Sequence, residues 1–359
     1  MNIIIEHNGD QHHQADRDGT ANTDQDQKRE FIERTCHPQC GKFRVVTDHQ
    51  LSTDIKSAEK SAYELGIPLH VIDCREDFDK HVKEYFTNEY LSGRTPNPCV
   101  VCNRYVKVKK LHECAKTLGF DKFATGHYCG VEEENGRYFI RRASDLKKDQ
   151  SYMLWGLSQD QLADFLTPLN GIEKDYIRAY MTERGFTSAS AKESQDICFI
   201  PDGDYARYIS EKCGEAAKGS FIDENGQFLG EHRGIIHYTI GQKKHLGIAL
   251  GEKMTVSEIN AENNTVTLVK SAQYSPASGI VFSGVNFQYL TSLEIDENTE
   301  LTVKVRYSAT PRRTELKVEN GVVSAHFERT FPEPAPGQSA VFYVGDKLAF
   351  GAFIDKVIR

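Results

Sequence analysis

Two cysteines with two residues between them lie in the stretch Gly93-Arg-Thr-Pro-Asn-Pro-Cys-Val-Val-Cys-Asn103. The two prolines restrict the backbone ahead of these cysteines, so we expect a stiff loop that holds the following side chains in place. Asn103 is a favoured N-cap residue, and apolar residues recur at helical spacing over about residues 104–118. We therefore predict that Cys102 lies at a helix N-terminus, where the helix dipole favours a thiolate that serves as nucleophile or metal ligand. The alternative interpretation is a pair of small buried residues beside a loop.

Length and composition indicate the general class of protein. A chain of 359 residues suggests two or three domains, and nine irregularly spaced cysteines do not resemble a secreted disulfide framework. The sequence has no apolar run of membrane-spanning length and no signal-peptide pattern, so we expect a soluble cytoplasmic protein without a membrane partner. The net charge of −8 argues against nonspecific binding of nucleic acid by the whole surface, but it permits a local basic groove.

The elements that must position the cysteines follow an alternating pattern. Helical periodicity over about residues 52–65, 77–91 and 104–118 is interleaved with strand-like runs at about 69–72 and 122–125. This alternation predicts an α/β domain over residues 51–200 with a parallel, Rossmann-like sheet covered by helices. Asn2 to Ile5 are compatible with a short strand, but residues 7–30 are polar and lack either period. We therefore expect residues 1–50 to be a degenerate or disordered segment in which Cys36 and Cys40 are an incidental grouping.

Polar residues follow the second predicted strand of this domain. Gly126 would let a ligand approach the backbone and His127 offers a polar edge, although an isolated histidine of this kind is usually an ordinary surface residue. A hairpin with its turn at Asn135-Gly136 then leads to the cluster Lys147-Lys-Asp-Gln-Ser151. The lysine and glutamine side chains of this cluster suit contacts with phosphates and bases. A solvent-exposed helix start would explain the same polar residues equally well.

The second half of the chain has a different character. Beyond Pro201, short alternating runs predict two small β modules, a central one over residues 201–273 and a C-terminal barrel over 274–359. Just before them, Cys198 lies in a short apolar run and by itself reads as a core cysteine. Two basic strips, at residues 237–247 and around Arg306 to Lys317, indicate either a solvated strand face or an RNA-binding surface.

Several motifs together resemble the MnmA family of tRNA-uridine 2-sulfurtransferases and occur in the order typical of that family. They cover the chain from about residue 52 to its end and comprise Gly93-Arg-Thr-Pro-Asn-Pro98, Cys102-Asn103, Ala124-Thr-Gly-His-Tyr128, Lys148-Asp-Gln-Ser-Tyr152, Ile197-Cys-Phe199, Tyr238-Thr-Ile-Gly-Gln242, Leu246-Gly-Ile248 and Pro336-Gly-Gln-Ser339. The resemblance implies replacement of the O2 oxygen of a wobble uridine by sulfur, after ATP and magnesium have activated that oxygen as an adenylate.

The resemblance also implies roles for particular residues. Cys198 matches the cysteine that carries the persulfide, and Cys102 matches the nucleophile that resolves it through a transient disulfide, which agrees with thiol exchange chemistry. A sulfur-relay protein would load Cys198, and Gly126 would lie at the nucleotide. The remaining positions match contacts with the target base, namely Asn97, Pro98 and Cys99, and contacts with tRNA, namely His127, Lys148, Asp149, Gln150, Arg306, Tyr307 and Gln338.

One departure from the family pattern concerns ATP. Family members begin with a strand and a Ser-Gly-Gly-x-Asp-Ser loop that cradles the pyrophosphate, but this chain reads Ile3-Ile-Ile-Glu-His-Asn-Gly-Asp10 instead. No other phosphate-binding motif replaces that loop. We therefore expect the first strand to be missing or rewritten, with an exposed sheet edge. The alternative function is a tRNA-binding pseudoenzyme or a truncated gene product that does not bind ATP.

The second departure is Cys99, where many family members have aspartate. Together with Cys102 and Cys198 it provides three thiolates, a set that suits an iron–sulfur cluster with one open iron position. Zinc and a metal-free dithiol exchange site are the competing interpretations. A structural or storage metalloprotein built on the three cysteines is a third function, which would leave the basic motifs without a role.

Overall fold

The structure is a computed structural model that describes residues 3–6, 41–46, 51–186, 197–296, 298–331 and 334–359. The chain forms two compact units. The first comprises Met1–Phe78, Cys102–Glu193 and Asp346–Leu348, and the second comprises Asp79–Val101, Ser194–Gly345 and Ala349–Arg359. Within the described residues no helix is long and apolar enough to cross a membrane.

The first unit contains a five-stranded sheet in the order β3-β2-β1-β4-β7. Neighbours β2 and β3 are parallel, as are β4 and β7, which confirms the predicted α/β class. The central strand β1 runs antiparallel to both β2 and β4. The strands are β1 Ile3–Glu6, β2 Gly41–Val46, β3 Leu69–Asp73, β4 Lys122–Ala124 and β7 Phe165–Leu166.

The N-terminal segment contributes more to this sheet than we predicted. Strand β1 overlaps the short strand considered at Asn2 to Ile5, but β2 also lies within residues 1–50, for which the polar composition predicted disorder or irregular structure. Strand β1 lies between β2 and β4, so these five strands form a continuous sheet. We expected an exposed edge where the first strand would be missing, and that expectation is wrong for the described strands. Three consecutive isoleucines in β1 are β-branched residues that suit a central strand. Cys36 and Cys40 lie outside the described residues.

The helices between β2 and β4 begin and end close to their predicted bounds, with two differences. Two π-helical turns, Asp79–Lys83 and Asn103–Lys107, interrupt the α-helical geometry, and the third helical segment begins at Pro98 rather than near residue 104. Gly66 follows the first helix in the left-handed conformation (φ +66°). The helices are α1 Leu51–Leu65, α2 Arg75–Phe78, α3 Glu84–Leu91, α4 Pro98–Cys102 and α5 Val108–Thr117.

The predicted hairpin follows β4 and consists of β5 Gly130–Glu134 and β6 Arg137–Arg141. Asn135 and Gly136 both have positive φ, as a type I′ turn requires. A 3-10 turn, Ser151–Met153, then precedes helices α6 Gln159–Ala163 and α7 Lys174–Glu183. Helix α6 ends at Ala163 because Phe165 and Leu166 pair with β4 as strand β7, where Phe165 stacks on Phe123 at 5.1 Å between ring centroids.

The second unit contains the two predicted β modules. In the first, helix α8 Tyr205–Cys213 precedes a four-stranded sheet of order β10-β11-β8-β9 whose core includes Phe221, Val256 and Val266. In the second, β12-β15-β14-β13-β16-β17 form a barrel that the pairing of β12 with β17 closes. The strands are β8 Gly219–Ile222, β9 Phe228–His232, β10 Met254–Asn260, β11 Thr265–Lys270, β12 Ala277–Phe287, β13 Leu301–Lys304, β14 Arg312–Glu319, β15 Val322–Phe331, β16 Ser339–Val344 and β17 Lys347–Ile358.

Candidate functional site

Helix α4 begins at Pro98, so the prediction that Cys102 lies at a helix N-terminus behind an Asn103 cap is wrong. Proline is well tolerated in the first turn of a helix, and asparagine is favoured directly before it, so Asn97-Pro98 was the start signal that we missed. Cys99 therefore lies in the first turn and is exposed, whereas Cys102 is buried with 4% of its surface accessible. The favourable dipole effect on a thiolate applies to Cys99 rather than to Cys102.

Asn103 follows Cys102 at the start of a π-helical turn, a local irregularity that is frequent at functional sites. Its side-chain amide donates a hydrogen bond from Nδ2 to the Met153 carbonyl oxygen at 3.1 Å. The buried Oδ1 atom accepts no hydrogen bond from any described residue. A buried polar atom without a partner destabilises the folded state, so Asn103 Oδ1 is an acceptor that packing alone does not explain.

The loop before α4 is held by residues of the C-terminal barrel, all within the second unit. The Thr95 amide donates to the Pro336 carbonyl oxygen at 2.8 Å. The Gln338 side chain donates from Nε2 to the carbonyl oxygens of Thr95 at 3.2 Å and Pro96 at 3.0 Å. These bonds join two segments that are more than 240 residues apart, and they determine where Asn97, Pro98 and Cys99 lie.

Glycine at position 337 is required for this approach. A Cβ atom added there would lie 2.7 Å from Glu89 Oε2 and 2.8 Å from the Thr95 carbonyl oxygen, and the backbone has φ +89°. The Tyr85 hydroxyl donates to the Gly337 carbonyl oxygen at 3.5 Å and accepts from the Asn97 amide at 3.4 Å. Burial raises the pKa of Tyr85, so its hydroxyl keeps the proton that it donates.

Arg94 adds an ionic contact to the same loop. Its Nε atom lies 2.9 Å from Glu89 Oε2, and its Nη2 atom donates to the Ile354 carbonyl oxygen at 3.3 Å. Both partners belong to the second unit, one in α3 and one in β17. The loop is therefore held by backbone, amide and guanidinium contacts, which agrees with the stiffness predicted from its prolines.

Cys198 is exposed, and the residue after it is anchored in an aromatic cluster of the second unit. Phe199 packs edge-on against Phe86 of α3 and Tyr208 of α8, with both centroid distances at 5.3 Å. Tyr205 of α8 stacks on Tyr90 of α3 at 4.7 Å. The cluster fixes the backbone beside Cys198 while its thiol remains accessible, so the expectation of a core cysteine is wrong.

In the first unit, the loop after β4 is held by a buried histidine. The His127 Nδ1 atom lies 2.7 Å from Thr125 Oγ1, and only 3% of the residue is exposed. Burial lowers the pKa of His127 to about 3, and the positive charge of Lys107 contributes in the same direction. The imidazole is therefore neutral at neutral pH, and it is not the surface residue that an isolated Gly-His pair usually represents.

The loop containing residues 148–151 contacts the loop after β4 through Gln150. The Tyr128 amide donates to Gln150 Oε1 and the Gln150 amide donates to the Tyr128 carbonyl oxygen, at 3.0 and 2.9 Å. Asp149 is 2% exposed, and its carboxylate accepts hydrogen bonds from the Ala143 amide and from the amide and hydroxyl of Ser151. The structure thus brings the predicted residues of these two loops together, but it turns Asp149 inward, where it positions the loop.

The predicted pair Arg306 and Tyr307 follows strand β13 in the second unit. Tyr307 is 41% exposed, and the Lys304 ammonium lies 5.2 Å from the centroid of its ring. Lys304 is itself buried, with 6% of its surface exposed, so the face of the Tyr307 ring is what a ligand would reach. Such a surface suits an unstacked nucleotide.

The metal prediction on Cys99, Cys102 and Cys198 finds no support in the described residues. No three histidine, cysteine, aspartate or glutamate side chains among them converge in a way that would hold a metal ion. The seven described cysteines form no disulfide. We therefore derive no step of the chemistry through an iron–sulfur cluster or zinc.

Three family models match consecutive parts of the chain. They are the tRNA methyl transferase HUP domain over residues 33–202, the tRNA methyl transferase PRC-barrel domain over 206–270, and the aminomethyltransferase beta-barrel domain over 281–354. The matched segments correspond to the first α/β region, the four-stranded sheet and the closed barrel described above.

Curated relatives align with this chain over most of their length. The tRNA-specific 2-thiouridylase MnmA of Clostridium acetobutylicum is 41% identical over 302 residues, which is 84% of each chain. The protein of the same name from Carboxydothermus hydrogenoformans is 41% identical over 84% of this chain and 83% of its own. The tRNA-specific 2-thiouridylase MnmA 1 of Clostridium botulinum strain Okra is 42% identical over 84% and 86%. The chain belongs to the MnmA family.

Proposed function

We propose that this protein is a tRNA 2-thiouridylase that transfers persulfide sulfur to C2 of the wobble uridine of tRNA. The observation that carries the proposal is the anchored loop of residues 93–99, in which Asn97 and Pro98 are buried and Cys99 is exposed at a helix start that the barrel braces through Gln338. An enzyme that acts on one base must hold it near the reacting groups, because small errors in placement are costly in rate. The proposed location is the cytoplasm, where its tRNA substrate would be found.

The thiols carry the sulfur in this proposal. Cys198 is exposed, as a cysteine loaded by a sulfur-relay protein must be, and we assign it as the persulfide carrier. In this proposal the outer sulfur of the Cys198 persulfide attacks C2 of the adenylated uridine and displaces AMP. Cys102 is the nucleophile that then attacks Sγ of Cys198 and breaks the persulfide S–S bond, which leaves the sulfur on the base and joins the two cysteines in a disulfide that an external thiol reduces. Because Cys102 is buried, it reacts only when the loop around it admits the substrate.

Two groups of residues serve the RNA in different ways. Lys148 and Arg306 have positively charged side chains and the Tyr307 ring is 41% exposed, so we propose direct contacts with tRNA for these three residues. His127, Asp149, Gln150 and Gln338 use their polar side-chain atoms in contacts inside the protein. We propose that these four residues position the loops rather than bind tRNA directly.

ATP with magnesium is the proposed co-substrate, and Gly126 is the residue that we assign near the nucleotide. A Cβ atom at Gly126 would meet only Leu169 Cδ1 at an ordinary 3.6 Å, so the packing of the protein does not itself require glycine there. Close approach of a ligand to the backbone would explain it. The family's Ser-Gly-Gly-x-Asp-Ser loop is absent from the sequence, so no residue is assigned to the triphosphate.

The test is sulfur transfer by cysteine variants. Purified protein, tRNA transcript, ATP with magnesium and a persulfide donor are combined, and digested nucleosides are analysed for 2-thiouridine by mass spectrometry. Cys198→Ser and Cys102→Ser should abolish the product while tRNA binding persists. Cys213→Ser, which removes another exposed thiol of the second unit, is the matched control and should leave turnover unchanged. Product formation by Cys198→Ser would refute the proposed role of that thiol.

A further inference from the structure

Helix α4 carries two thiols three positions apart, and only one of them reaches the surface. Of the five residues Pro98–Cys102, Cys99 is exposed and the other four are buried. Cys102 is 4% exposed, and Val100 and Val101 between the two thiols are 1% and 5% exposed. A reagent that is too large to enter the protein therefore meets Cys99 in this helix and not Cys102.

The helical backbone brings the two thiols within the range of a disulfide. Cys102 has helical backbone angles of φ −61° and ψ −43°. Residues three positions apart in an α-helix lie on the same face with Cα atoms about 5 Å apart, and disulfides span Cα separations of about 4.4–6.8 Å. The sequence Cys99-Val-Val-Cys102 also has the Cys-x-x-Cys pattern of dithiols that exchange with other disulfides. A Cys99–Cys102 disulfide is therefore compatible with the backbone of α4.

The function proposed above creates a need for such a pair. Each transfer leaves Cys102 joined to Cys198, and the next transfer requires that this bond is broken. An external thiol has to find the disulfide by diffusion, whereas a thiol on the same helix as Cys102 attacks it in an intramolecular step. Intramolecular reactions of well-placed groups proceed as if the reactant were present at a very high concentration. Aspartate, which many members of the family have at position 99, cannot carry out this exchange.

We propose that Cys99 releases Cys198 after each turnover by thiol–disulfide exchange, and that the external reductant acts on Cys99. The thiolate of Cys99 attacks Sγ of Cys102, so that the Cys99–Cys102 bond forms, the Cys102–Cys198 bond breaks and Cys198 leaves as a thiolate. The proposal rests on the proposed function, since it assigns the step that completes its cycle.

An external dithiol then restores the pair of thiols. One of its sulfurs attacks Sγ of the exposed Cys99, and Cys102 leaves as a thiolate that takes up a proton. The second sulfur of the dithiol attacks the first, which releases Cys99 and leaves the reductant as a cyclic disulfide. The reductant thus supplies the two electrons, and all three cysteines end the cycle as thiols.

The first experiment identifies the disulfide that remains after one round of transfer by the full chain. Cys198 is loaded by a persulfide donor, the donor is removed, and tRNA with ATP and magnesium is added without reductant. Thiols are then alkylated, and tryptic peptides are analysed by mass spectrometry without reduction. Cys99 and Cys102 lie in one tryptic peptide, residues 95–104, so a bond between them leaves that peptide unalkylated and unlinked.

We expect the wild type to contain the Cys99–Cys102 bond, with Cys198 alkylated. Cys99→Ser should instead yield peptide 95–104 linked through Cys102 to the peptide of Cys198. Cys213→Ser removes another exposed thiol of the second unit and should match the wild type. A wild-type chain that has made 2-thiouridine and keeps the Cys102–Cys198 bond would overturn the proposal. Absence of 2-thiouridine from the wild-type reaction would refute the proposed function instead.

A second measurement separates the release of Cys198 from any contact of Cys99 with the base. With dithiothreitol as reductant, the rate of later turnovers is divided by the rate of the first turnover. Both rates depend on the same base contacts, but only later turnovers require reduction. We expect Cys99→Ser and Cys99→Asp to lower this ratio at least about tenfold, and Cys213→Ser to leave it unchanged. An unaltered ratio in both variants at position 99 would show that the reductant attacks the Cys102–Cys198 bond directly.

A third measurement does not depend on sulfur transfer. Cys198→Ser is incubated with oxidised glutathione, which the exposed Cys99 attacks to form a mixed disulfide. Attack by Cys102 should then displace glutathione and leave the Cys99–Cys102 bond in peptide 95–104. A glutathione adduct that persists on Cys99 would show that Cys102 does not reach it. That result would overturn the proposal whether or not the chain thiolates tRNA.

Discussion

At the scale of single residues, the burial of His127 makes the stability of the folded protein depend on pH. Its pKa of about 3 lies below the ordinary value of 6.5 because the fold keeps the ring out of water. Between these two pH values the unfolded chain binds more protons than the native one, so stability rises with pH. The stabilisation from a neutral His127 is complete above pH 6.5 and is lost as the pH falls towards 3.

We therefore expect His127→Asn to flatten the pH dependence of the free energy of unfolding. The wild-type value should fall more steeply than that of the variant between pH 6.5 and pH 4, by at most about 1.4 kcal/mol per pH unit. Urea denaturation at several pH values measures both. His70→Asn, at an exposed position of the same unit, is the control and should follow the wild type. A His127→Asn curve parallel to the wild type would contradict the assignment of a buried neutral ring.

Gly337 provides a second test at this scale. Alanine there would place Cβ against Glu89 and Thr95 at a backbone φ of +89°. Gly321→Ala is the control, because Gly321 has φ +79° with nothing within 4 Å of the added Cβ atom. We expect the control to lose about 1 kcal/mol of unfolding free energy from backbone strain. Gly337→Ala should lose about 1–3 kcal/mol more from overlap, and equal losses in urea denaturation would show that the close approach is not required.

At the scale of elements, the position of the loop before α4 depends on Gln338. Gln338→Ala removes two hydrogen bonds to the carbonyl oxygens of Thr95 and Pro96, each contributing about 1 kcal/mol. We expect hydrogen exchange of the Thr95 and Asn97 amides to accelerate about tenfold or more. Gln227→Ala changes an exposed glutamine of the same unit and should leave these rates unchanged. Unaltered exchange in Gln338→Ala would show that the prolines alone hold the loop.

Most helices and strands can be predicted from the sequence, and the predictions that are wrong have physical causes. Helices α1 and α5 and the hairpin at Asn135-Gly136 follow from periodicity and turn chemistry, which are local signals. The early start of α4 has a local signal in Asn97-Pro98, which competes with the N-cap signal of Asn103. Strand β2 was missed because Gly41–Val46 is short, contains two charged residues and adjoins a polar stretch.

The candidate site was predictable in part. Its residue types followed from the resemblance, but the burial of His127 and Asp149 did not, because side-chain orientation depends on packing partners far away in sequence. The contact of Gln338 with Thr95 spans 243 residues, and no local pattern encodes it. The sequence around Gly337 does not indicate that it approaches Glu89 and Thr95 either, because such an approach depends on the tertiary structure.

At the scale of the whole molecule, the direction of the N-terminal strand bears on the proposed use of ATP. Strand β1 occupies the centre of the first sheet in an antiparallel direction. Ligands in open parallel sheets bind beyond the carboxyl ends of the strands, and an antiparallel strand presents its amino end there instead. Of the steps in the proposed reaction, activation by ATP therefore has the weakest support from the geometry of this sheet.

The most direct measurement is formation of 2-thiouridine in tRNA by the purified full chain, with and without ATP and magnesium. The account predicts 2-thiouridine at the wobble position only when ATP is present, and no product from Cys198→Ser. Binding of tRNA without any product in the presence of ATP and a persulfide donor would contradict the central claim. The protein would then recognise the substrate of its family without thiolating it.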